Sequence, residues 1–219
     1  LVEMLPELKL TPAQCTFSVL GYGNVGSWSG KIFQDKGAKM IAVADHTGFI
    51  GNPKGIDAFE LDEHVKKTGG VKGFSKAAVI TKEEFYRTKV DVVIPAALEQ
   101  MVQETEAAWL DCKVVAEGAN APTTPAGERV LQGRGIEVLP AILCNAGGVT
   151  VSYFEWVQNK TFQSWELEKV DSLLNKHMLG AAARTRAARK KYNCELRTAA
   201  YIAALERLQK AYEFRGIFP

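Results

Sequence analysis

Several common signatures are missing from this sequence of 219 residues. No apolar run approaches the 18 residues that a membrane-spanning helix needs, and the first residues, Leu-Val-Glu-Met-Leu-Pro, lack the pattern of a signal peptide. The net charge of +2, with 24% charged residues, shows no basic excess of the kind that indicates nucleic acid or an anionic membrane surface. We therefore expect a globular protein with no nucleic-acid partner and no membrane association.

Cysteine and histidine are also sparse. The four cysteines are far apart in sequence, with no C-x-x-C pair and no histidine at metal-ligand spacing: Cys15, Cys112, Cys144 and Cys194. We therefore expect no metal site. Reduced thiols are the simpler interpretation of this pattern, which favours the cytoplasm or the mitochondrial matrix as the compartment.

A glycine-rich stretch, Gly-Tyr-Gly-Asn-Val-Gly at residues 21–26, is the most informative feature present. The β-branched and apolar residues 16–20 predict a buried strand before it, and residues 24–36 predict a helix after it, ended by Gly37. In a dinucleotide-binding turn, glycines like Gly21, Gly23 and Gly26 permit the sharp turn, the approach of the pyrophosphate and close helix–strand packing. The helix N-terminus then faces the phosphates.

An acidic residue completes this fingerprint. Residues 39–44 predict the next strand, and Asp45 follows it, 19 residues after Gly26. A carboxylate there can accept hydrogen bonds from the adenosine ribose and would repel a 2′-phosphate, so Asp45 favours NAD. The following His46 can contact the ribose or receive a 2′-phosphate, which leaves NADP open. The competing interpretation is an ordinary tight turn followed by an N-capping aspartate.

Strands and helices alternate up to about residue 150. Residues 47–55 predict a turn-rich loop, because glycine, asparagine and proline are frequent there. Further strands are predicted at 90–95, 113–117 and 136–140, and helices start after Asp57, Thr81 and Thr124. This order predicts an α/β fold, a Rossmann-type doubly wound parallel sheet with C-terminal helices. We divide the chain into a dinucleotide-binding core, residues 1–150, and a helical segment, residues 151–219.

Ligands of such sheets bind at the carboxyl ends of the strands. The segments that follow strands are therefore expected to converge on one cleft: residues 21–26, Asp45, Ala96 with Ala97, Asn120, and residues 145–149. Beyond Gly148 only helices are predicted, and two stripes of residues at helical spacing favour packing faces over ligand sites. The first stripe is Leu167, Val170, Leu174, His177 and Met178; the second is Ala199, Ile202, Leu205, Leu208 and Tyr212.

Five motifs then occur in an order that resembles the glutamate dehydrogenase branch of the Glu/Leu/Phe/Val dehydrogenase family. They are Gly-Tyr-Gly-Asn-Val-Gly at 21–26, Ile-Pro-Ala-Ala at 94–97, Ala-Glu-Gly-Ala-Asn at 116–120 with Pro-Thr-Thr-Pro after it, Asn-Ala-Gly-Gly-Val-Thr-Val-Ser-Tyr-Phe-Glu-Trp at 145–156, and Leu-Arg-Thr-Ala-Ala-Tyr at 196–201. The matches span roughly residues 16–215. The 145–156 block favours glutamate dehydrogenase over the leucine, valine and phenylalanine enzymes.

The resemblance implies an NAD(P)-dependent oxidoreductase that converts L-glutamate to 2-oxoglutarate and ammonia, in a hexameric homo-oligomer. Residues 21–26 would hold the pyrophosphate of NAD, or of NADP, with backbone contacts from Asn24 and Val25. Asp45 would hold the adenosine ribose, and Ala96, Ala97 and Asn120 would line the cleft along the cofactor. Asn145 would lie beside the nicotinamide ribose and the substrate, and Val149 and Ser152 would face the substrate. The competing interpretation of Ser152 is a helix hydroxyl bonded to its own backbone.

The sequence also departs from the family. Its members are about twice as long, and their N-terminal half carries the substrate domain, with the lysines and the aspartate that bind glutamate and move protons. We therefore expect no catalytic residue within this chain, and no turnover by the chain alone. Ala141 stands where the family usually has aspartate. An alternative is a non-catalytic, dehydrogenase-derived scaffold subunit or nucleotide-sensing module of a larger assembly.

Overall fold

The computed structural model describes residues 1–216. Two short 3-10 helices, Val2–Leu8 and Pro12–Gln14, precede the first strand. The strands that follow are β1 (Thr16–Leu20), β2 (Lys39–Asp45), β3 (Gly48–Ile56), β4 (Ala78–Ile80), β5 (Val92–Pro95), β6 (Val114–Ala116) and β7 (Glu137–Leu139). The helices are α1 (Asn24–Asp35), α2 (Ala58–Thr68), α3 (Lys82–Arg87), α4 (Glu104–Trp109), α5 (Pro125–Gly133), α6 (Ala141–Cys144), α7 (Ala146–Thr161), α8 (Leu167–Tyr192) and α9 (Leu196–Arg215).

The described strands form one mixed sheet in the order β4-β3-β2-β1-β5-β6-β7. Strands β2, β1, β5, β6 and β7 run parallel, and β3 and β4 add two antiparallel strands at one edge. The parallel strands are almost wholly buried, which explains their continuous apolar sequences. The predicted α/β, Rossmann-type fold is confirmed. The carboxyl ends of β2, β1, β5 and β6 lie side by side at one end of the sheet.

The prediction of a loop at residues 47–55 was wrong. Residues 48–56 form β3, which pairs with β2 in antiparallel register. Pairing with β2 overrides the local turn preference, since β-strand propensity depends strongly on tertiary context. The turn-forming residues lie where the register shifts, and there the Asn52 side-chain amide donates to the Gly55 carbonyl at 2.9 Å. Strand β4 was not predicted either.

The predicted helix starts and stops are confirmed where capping residues mark them. The Asp57 carboxylate accepts hydrogen bonds from two backbone N–H groups of α2, and Gly69 ends that helix in a left-handed conformation (φ 85°). Thr81 forms the predicted capping box with Glu84, and the Thr124 hydroxyl accepts from the N–H of Gly127 in α5. These side chains satisfy N–H groups that a helix start otherwise leaves free.

The chain divides into two compact units, one from Leu1 to Ala141 and one from Ile142 onward. The first unit holds the sheet and a core of fully buried large side chains, including Phe17, Tyr86 and Leu131. The second unit holds α7, α8 and α9, in the part of the chain where only helices were predicted, and Ala188, Ala199 and Ala203 form a buried cluster there. The domain division at residues 150 and 151 stays a prediction. Among residues 1–216, no helix has the length and apolar character needed to cross a membrane.

Candidate nucleotide-binding site

The glycine turn between β1 and α1 has the backbone that the fingerprint predicts. Gly21 has a φ of 99°, which strongly favours glycine, and its N–H donates to the Ala44 carbonyl at 2.7 Å. A methyl group at Gly26 would overlap the carbonyl oxygen of Gly21, so that position requires glycine for close packing of helix and strand. A methyl group at Gly23 would meet no protein atom within 4 Å. The protein therefore leaves open space at Gly23, where the fingerprint places a pyrophosphate.

The N-terminus of α1 differs from those of α2, α3 and α5, because no side chain caps it. Its N-cap is Gly23, and no side-chain hydrogen bond is formed there. The N–H groups of the first helical residues, Asn24 and Val25, have no partner within an α-helix. Both residues are exposed. Free N–H donors and the positive end of the helix dipole are suited to bind the phosphates of a nucleotide.

The segments after β1, β5 and β6 meet at this turn. A methyl group at Gly21 would lie 2.5 Å from Cβ of Ala97, so the glycine turn lies directly against the residues that follow β5. A methyl group at Gly118 would lie 3.2 Å from Cγ1 of Val25 and 3.4 Å from Cβ of Ala96. The structure thus brings together the predicted residues Gly21, Val25, Ala96 and Ala97. Gly118 belongs to the motif at residues 116–120, but no role was predicted for it.

The loops after β5 and β6 are bonded to each other along their length. The N–H groups of Gly118 and Ala119 both donate to the Pro95 carbonyl at 2.9 Å, and the N–H of Gln100 donates to the Ala121 carbonyl at 2.9 Å. Asn120 is exposed within this pair of loops, and its role in lining a cleft stays a prediction. The wall beside the glycine turn is therefore held by backbone hydrogen bonds.

Asp45 ends β2 next to the glycine turn, as predicted, but its carboxylate is bonded within the protein. The side chain of Asp45 is only 7% exposed, whereas that of His46 is 78% exposed. Both carboxylate oxygens of Asp45 accept hydrogen bonds from the protein. Its role as a ribose ligand stays a prediction.

A buried acid next to Gly118 was missed in the sequence. Glu117 is fully buried, and its Oε2 accepts a hydrogen bond from the N–H of Ala141 at 2.8 Å. The carboxylate therefore connects the end of β6 to the first residue of α6. Its position directly after the apolar strand β6 could have indicated a buried and bonded carboxylate, because charged residues are rarely buried without a partner.

The predicted substrate residues lie in the second unit. Asn145 is the N-cap of α7 and is half-buried, and Val149 is 71% exposed. The Ser152 hydroxyl donates to the Gly148 carbonyl at 3.2 Å, one helical turn earlier. Ser152 thus makes the backbone bond of the competing interpretation, and that bond leaves its oxygen able to accept another. The convergence of residues 145–149 with the other segments stays a prediction.

The cysteine, histidine and acidic side chains within residues 1–216 form no cluster that could hold a metal ion. No group of three or more histidine, cysteine, aspartate or glutamate side chains in that range is placed to hold a metal ion. The cysteines are free thiols. Burial raises the pKa of the Cys112 thiol to about 12, so this cysteine is not a thiolate near neutral pH.

Comparison with known proteins connects these observations to one family. Residues 1–216 match the model of the family described as Glutamate/Leucine/Phenylalanine/Valine dehydrogenase. A glutamate dehydrogenase of Thermotoga maritima is 45% identical over 213 residues. The match covers 97% of this chain and 51% of that protein, so the chain spans about half the length of this relative.

Solved structures give the same result. A structure described as hetero-hexameric glutamate dehydrogenase from Thermus thermophilus, in a leucine-bound form, is similar with a TM-score of 0.90 at 27% identity, over 99% of this chain and 51% of that one. Glutamate dehydrogenase from Peptoniphilus asaccharolyticus is similar with a TM-score of 0.83 at 32% identity, over the same shares of the two chains.

Proposed function

The chain belongs to the Glutamate/Leucine/Phenylalanine/Valine dehydrogenase family, and from this premise we propose that it is the coenzyme-binding part of a glutamate-dehydrogenase-type oxidoreductase. The reaction is the oxidative deamination of L-glutamate to 2-oxoglutarate and ammonia, for which NAD or NADP supplies the hydride acceptor. The observation that carries the proposal is the uncapped N-terminus of α1, preceded by the glycine turn and flanked by the loops after β5 and β6.

Each part of this site has a separate task in the proposal. Gly21 and Gly26 set the turn, Gly23 leaves space for the pyrophosphate, and the N–H groups of Asn24 and Val25 donate to its oxygens. Ala96, Ala97 and Asn120 line the path of the cofactor beyond the phosphates. The small side chains of the two alanines allow the cofactor to lie close to the backbone, which helps to hold its orientation.

The substrate is proposed from the relatives, which are named glutamate dehydrogenases. In this proposal Asn145 lies beside the nicotinamide ribose and glutamate, Val149 contacts the substrate, and Ser152 helps to bind the substrate's side-chain carboxylate. We expect no turnover by the 219-residue chain alone, because the family residues that bind glutamate and move protons match no position of this sequence. Glutamate-dependent production of NADH by the purified chain would contradict that expectation.

We also propose that the protein works in an assembly. The relative from Thermus thermophilus is described as hetero-hexameric, so assembly of like or unlike subunits is compatible with this architecture. A scaffold or nucleotide-sensing subunit is the second candidate, favoured by the unlike subunits of that relative. A coenzyme domain binds dinucleotide and a scaffold does not, so a binding measurement distinguishes these two candidates.

Calorimetric titration of the purified chain with NADH tests the proposal. The discriminating variant is Gly23→Ala, because its methyl group meets no protein atom and changes only the space in front of α1. We expect this variant to bind NADH at least about tenfold more weakly than the wild-type chain. A tenfold loss of affinity needs only ~1.4 kcal/mol of steric conflict with the pyrophosphate. The free energy of unfolding should change by about 1 kcal/mol or less, the usual range for a cap substitution.

Gly133→Ala is the matched control. A methyl group at Gly133 also meets no protein atom within 4 Å, and this residue ends α5, away from the glycine turn. We expect unchanged NADH binding in this variant. The proposal fails if wild-type protein binds neither NADH nor NADPH at millimolar concentration, which would favour the scaffold. It also fails if Gly23→Ala and Gly133→Ala bind NADH equally well.

A further inference from the structure

Tyr22 carries the one side chain of the tripeptide Gly21-Tyr22-Gly23, and that side chain is directed into the protein. Only 4% of Tyr22 is exposed. Its hydroxyl donates a hydrogen bond at 2.8 Å to the carbonyl of Ala58, which is the first residue of α2 and is fully buried. The glycine turn is therefore bonded, through Tyr22, to a residue 36 positions later in the chain.

The Tyr22 ring packs between α1 and α2. A methyl group at Gly30 of α1 would lie 3.6 Å from Cε2 of Tyr22 and 3.6 Å from Cβ of Ala58. Burial raises the pKa of the Tyr22 phenol well above its ordinary value, and the carboxylates of Asp62 and Asp57 act in the same direction. The hydroxyl is therefore protonated at neutral pH and available as a donor.

Other contacts hold the acceptor of this bond in place. The Gln34 side chain, near the end of α1, accepts from the Ala58 N–H at 2.8 Å and donates to the Asp57 carboxylate at 3.2 Å. Lys31 Nζ, also on α1, forms an ion pair with Asp62 Oδ2 at 3.0 Å, and the Lys31 side chain is only 9% exposed. The start of α2 is thus fixed to α1, so the Ala58 carbonyl is a well-held acceptor for Tyr22.

Glycines make the turn possible and also make it flexible. Gly21 has a positive φ, and Gly23 is an exposed N-cap without a side-chain hydrogen bond. Glycine loses more conformational freedom than any other residue when its backbone is fixed, and a ligand that had to order such a turn would lose part of its binding free energy. The Tyr22 hydroxyl restrains the turn before a ligand arrives, so the N–H groups of Asn24 and Val25 are already oriented.

We propose that Tyr22 is a positioning residue for the dinucleotide: the bond from its hydroxyl to the Ala58 carbonyl preorganises the glycine turn for the pyrophosphate. Tyr22 acts through the backbone of Gly21 and Gly23, and its buried side chain does not itself contact the cofactor. The inference rests on the proposed function, since it requires a dinucleotide at this turn. It makes the affinity for the coenzyme depend on the contact between α1 and α2.

Tyr22→Phe tests the inference, because it removes the hydroxyl oxygen and keeps the ring. We expect this variant to bind the dinucleotide, the tighter of NADH and NADPH, about three- to tenfold more weakly than the wild-type chain, which corresponds to ~0.6 to 1.4 kcal/mol. Calorimetric titration of the purified chain measures the loss. ADP-ribose, which keeps the pyrophosphate and lacks nicotinamide, should lose the same factor. A loss for the dinucleotide with no change for ADP-ribose would place the effect away from the pyrophosphate and overturn the inference.

Tyr86→Phe is the matched control. Tyr86 is also buried, and its hydroxyl donates to a backbone carbonyl, that of Met101, at the same distance of 2.8 Å. Because each variant loses one buried hydroxyl, we expect similar decreases in melting temperature, about 2 to 4 °C. The dissociation constant of Tyr86→Phe should stay within about twofold of the wild-type value. Equal dissociation constants for the two variants would overturn the inference and leave the proposed function intact, whereas a wild-type chain that binds neither NADH nor NADPH would defeat the proposed function.

Hydrogen exchange of two amides reports on the turn in the absence of cofactor. The N–H of Gly21 donates to the Ala44 carbonyl at 2.7 Å, and the N–H of Ser27 donates to the Gly23 carbonyl at 2.9 Å, so both exchange when the turn opens. We expect NMR to show exchange of both amides about threefold or more faster in Tyr22→Phe, and unchanged in the control variant. Unchanged exchange in Tyr22→Phe, or equal acceleration in both variants, would show that the hydroxyl does not hold the turn and would overturn the inference.

Discussion

The two units of the chain differ in how they use apolar side chains. In the first, the sheet and its helices enclose large residues completely, among them Phe17, Tyr86 and Leu131. In the second, four of the buried side chains are alanines, beside Phe154, Thr185 and Leu196. Large apolar side chains on α7 and α9 are more than half exposed there: Val149, Tyr153, Trp156, Tyr201, Leu205, Leu208 and Tyr212. Burial of apolar area stabilises a fold roughly in proportion to the area.

This difference separates two kinds of helix. Helix α5 lies on the sheet and buries the side chain of Leu131 in the same core as Val115 and Val138. Helix α9 contacts α8 through small residues, of which Ala188, Ala199 and Ala203 form the buried cluster. The first unit is therefore held by a core of large side chains, while the buried cluster between α8 and α9 consists of small ones. Substitutions placed in each unit can test this contrast.

The largest expected effect is loss of a core leucine in the first unit. Leu131→Ala should lower the free energy of unfolding by about 2 to 5 kcal/mol, because it removes buried methyl groups and leaves a cavity. Leu208→Ala on α9 is the matched control, since its side chain is 56% exposed, and we expect a change within about 0.5 kcal/mol. Urea unfolding measures both. Equal losses would show that α9 has a buried face equivalent to that of α5.

Helix starts were well predicted in the first unit where a capping residue marks them, because caps are local signals. Thr81 and Thr124 mark helix starts through hydrogen bonds that reach only three residues, and these are visible in sequence. The same holds for Gly26, where the atoms nearest to an added methyl group belong to Gly21 and Val19, which are close to it in sequence. Local chemistry was sufficient for these features.

Features that depend on distant partners were not predicted. Strand β3 exists because β2 offers it a partner, and the carboxylate of Asp45 is occupied because Val71, 26 residues later, donates to it. The α9 stripe illustrates the same limit. Periodicity correctly favoured a helix, but of its residues Ala199 is buried, whereas Leu205 and Tyr212 are mostly exposed. Periodicity identifies a face and does not say whether anything within the chain covers it.

The second prediction concerns the small-residue contact between α8 and α9. Ala199→Leu should destabilise the second unit by about 1 to 3 kcal/mol, because the added carbon atoms have no space beside Ala188. Ala204→Leu is the control on an exposed position of the same helix, where a leucine is accommodated. Hydrogen exchange of the α8 and α9 amides measures the effect within that unit. Unchanged exchange in Ala199→Leu would mean that the two helices are loosely packed.

The smallest expected effects come from charged groups, and here too the units differ. Burial alone would raise the pKa of Asp91 in the first unit, but hydrogen bonds from the Thr16 backbone and from Lys113 Nζ more than offset this, and the pKa is lowered. A lowered pKa means that the folded state binds protons less readily than the unfolded chain. The stabilisation from Asp91 is therefore complete above the unfolded-state pKa, about 3.9, and is lost as pH falls below it.

Asp91→Asn should accordingly lower the free energy of unfolding at pH 7 by about 1 kcal/mol and flatten its decrease below pH ~4. Glu206 in α9 also has a lowered pKa, caused by Lys191 and Tyr192, but this ion pair is exposed to solvent. Solvent screens such pairs, so we expect no measurable change in Glu206→Gln. Urea unfolding at neutral pH and at about pH 3.5, just below the unfolded-state pKa, compares the two variants. A parallel acid response would show that charges in the second unit are as firmly held as those beside the sheet.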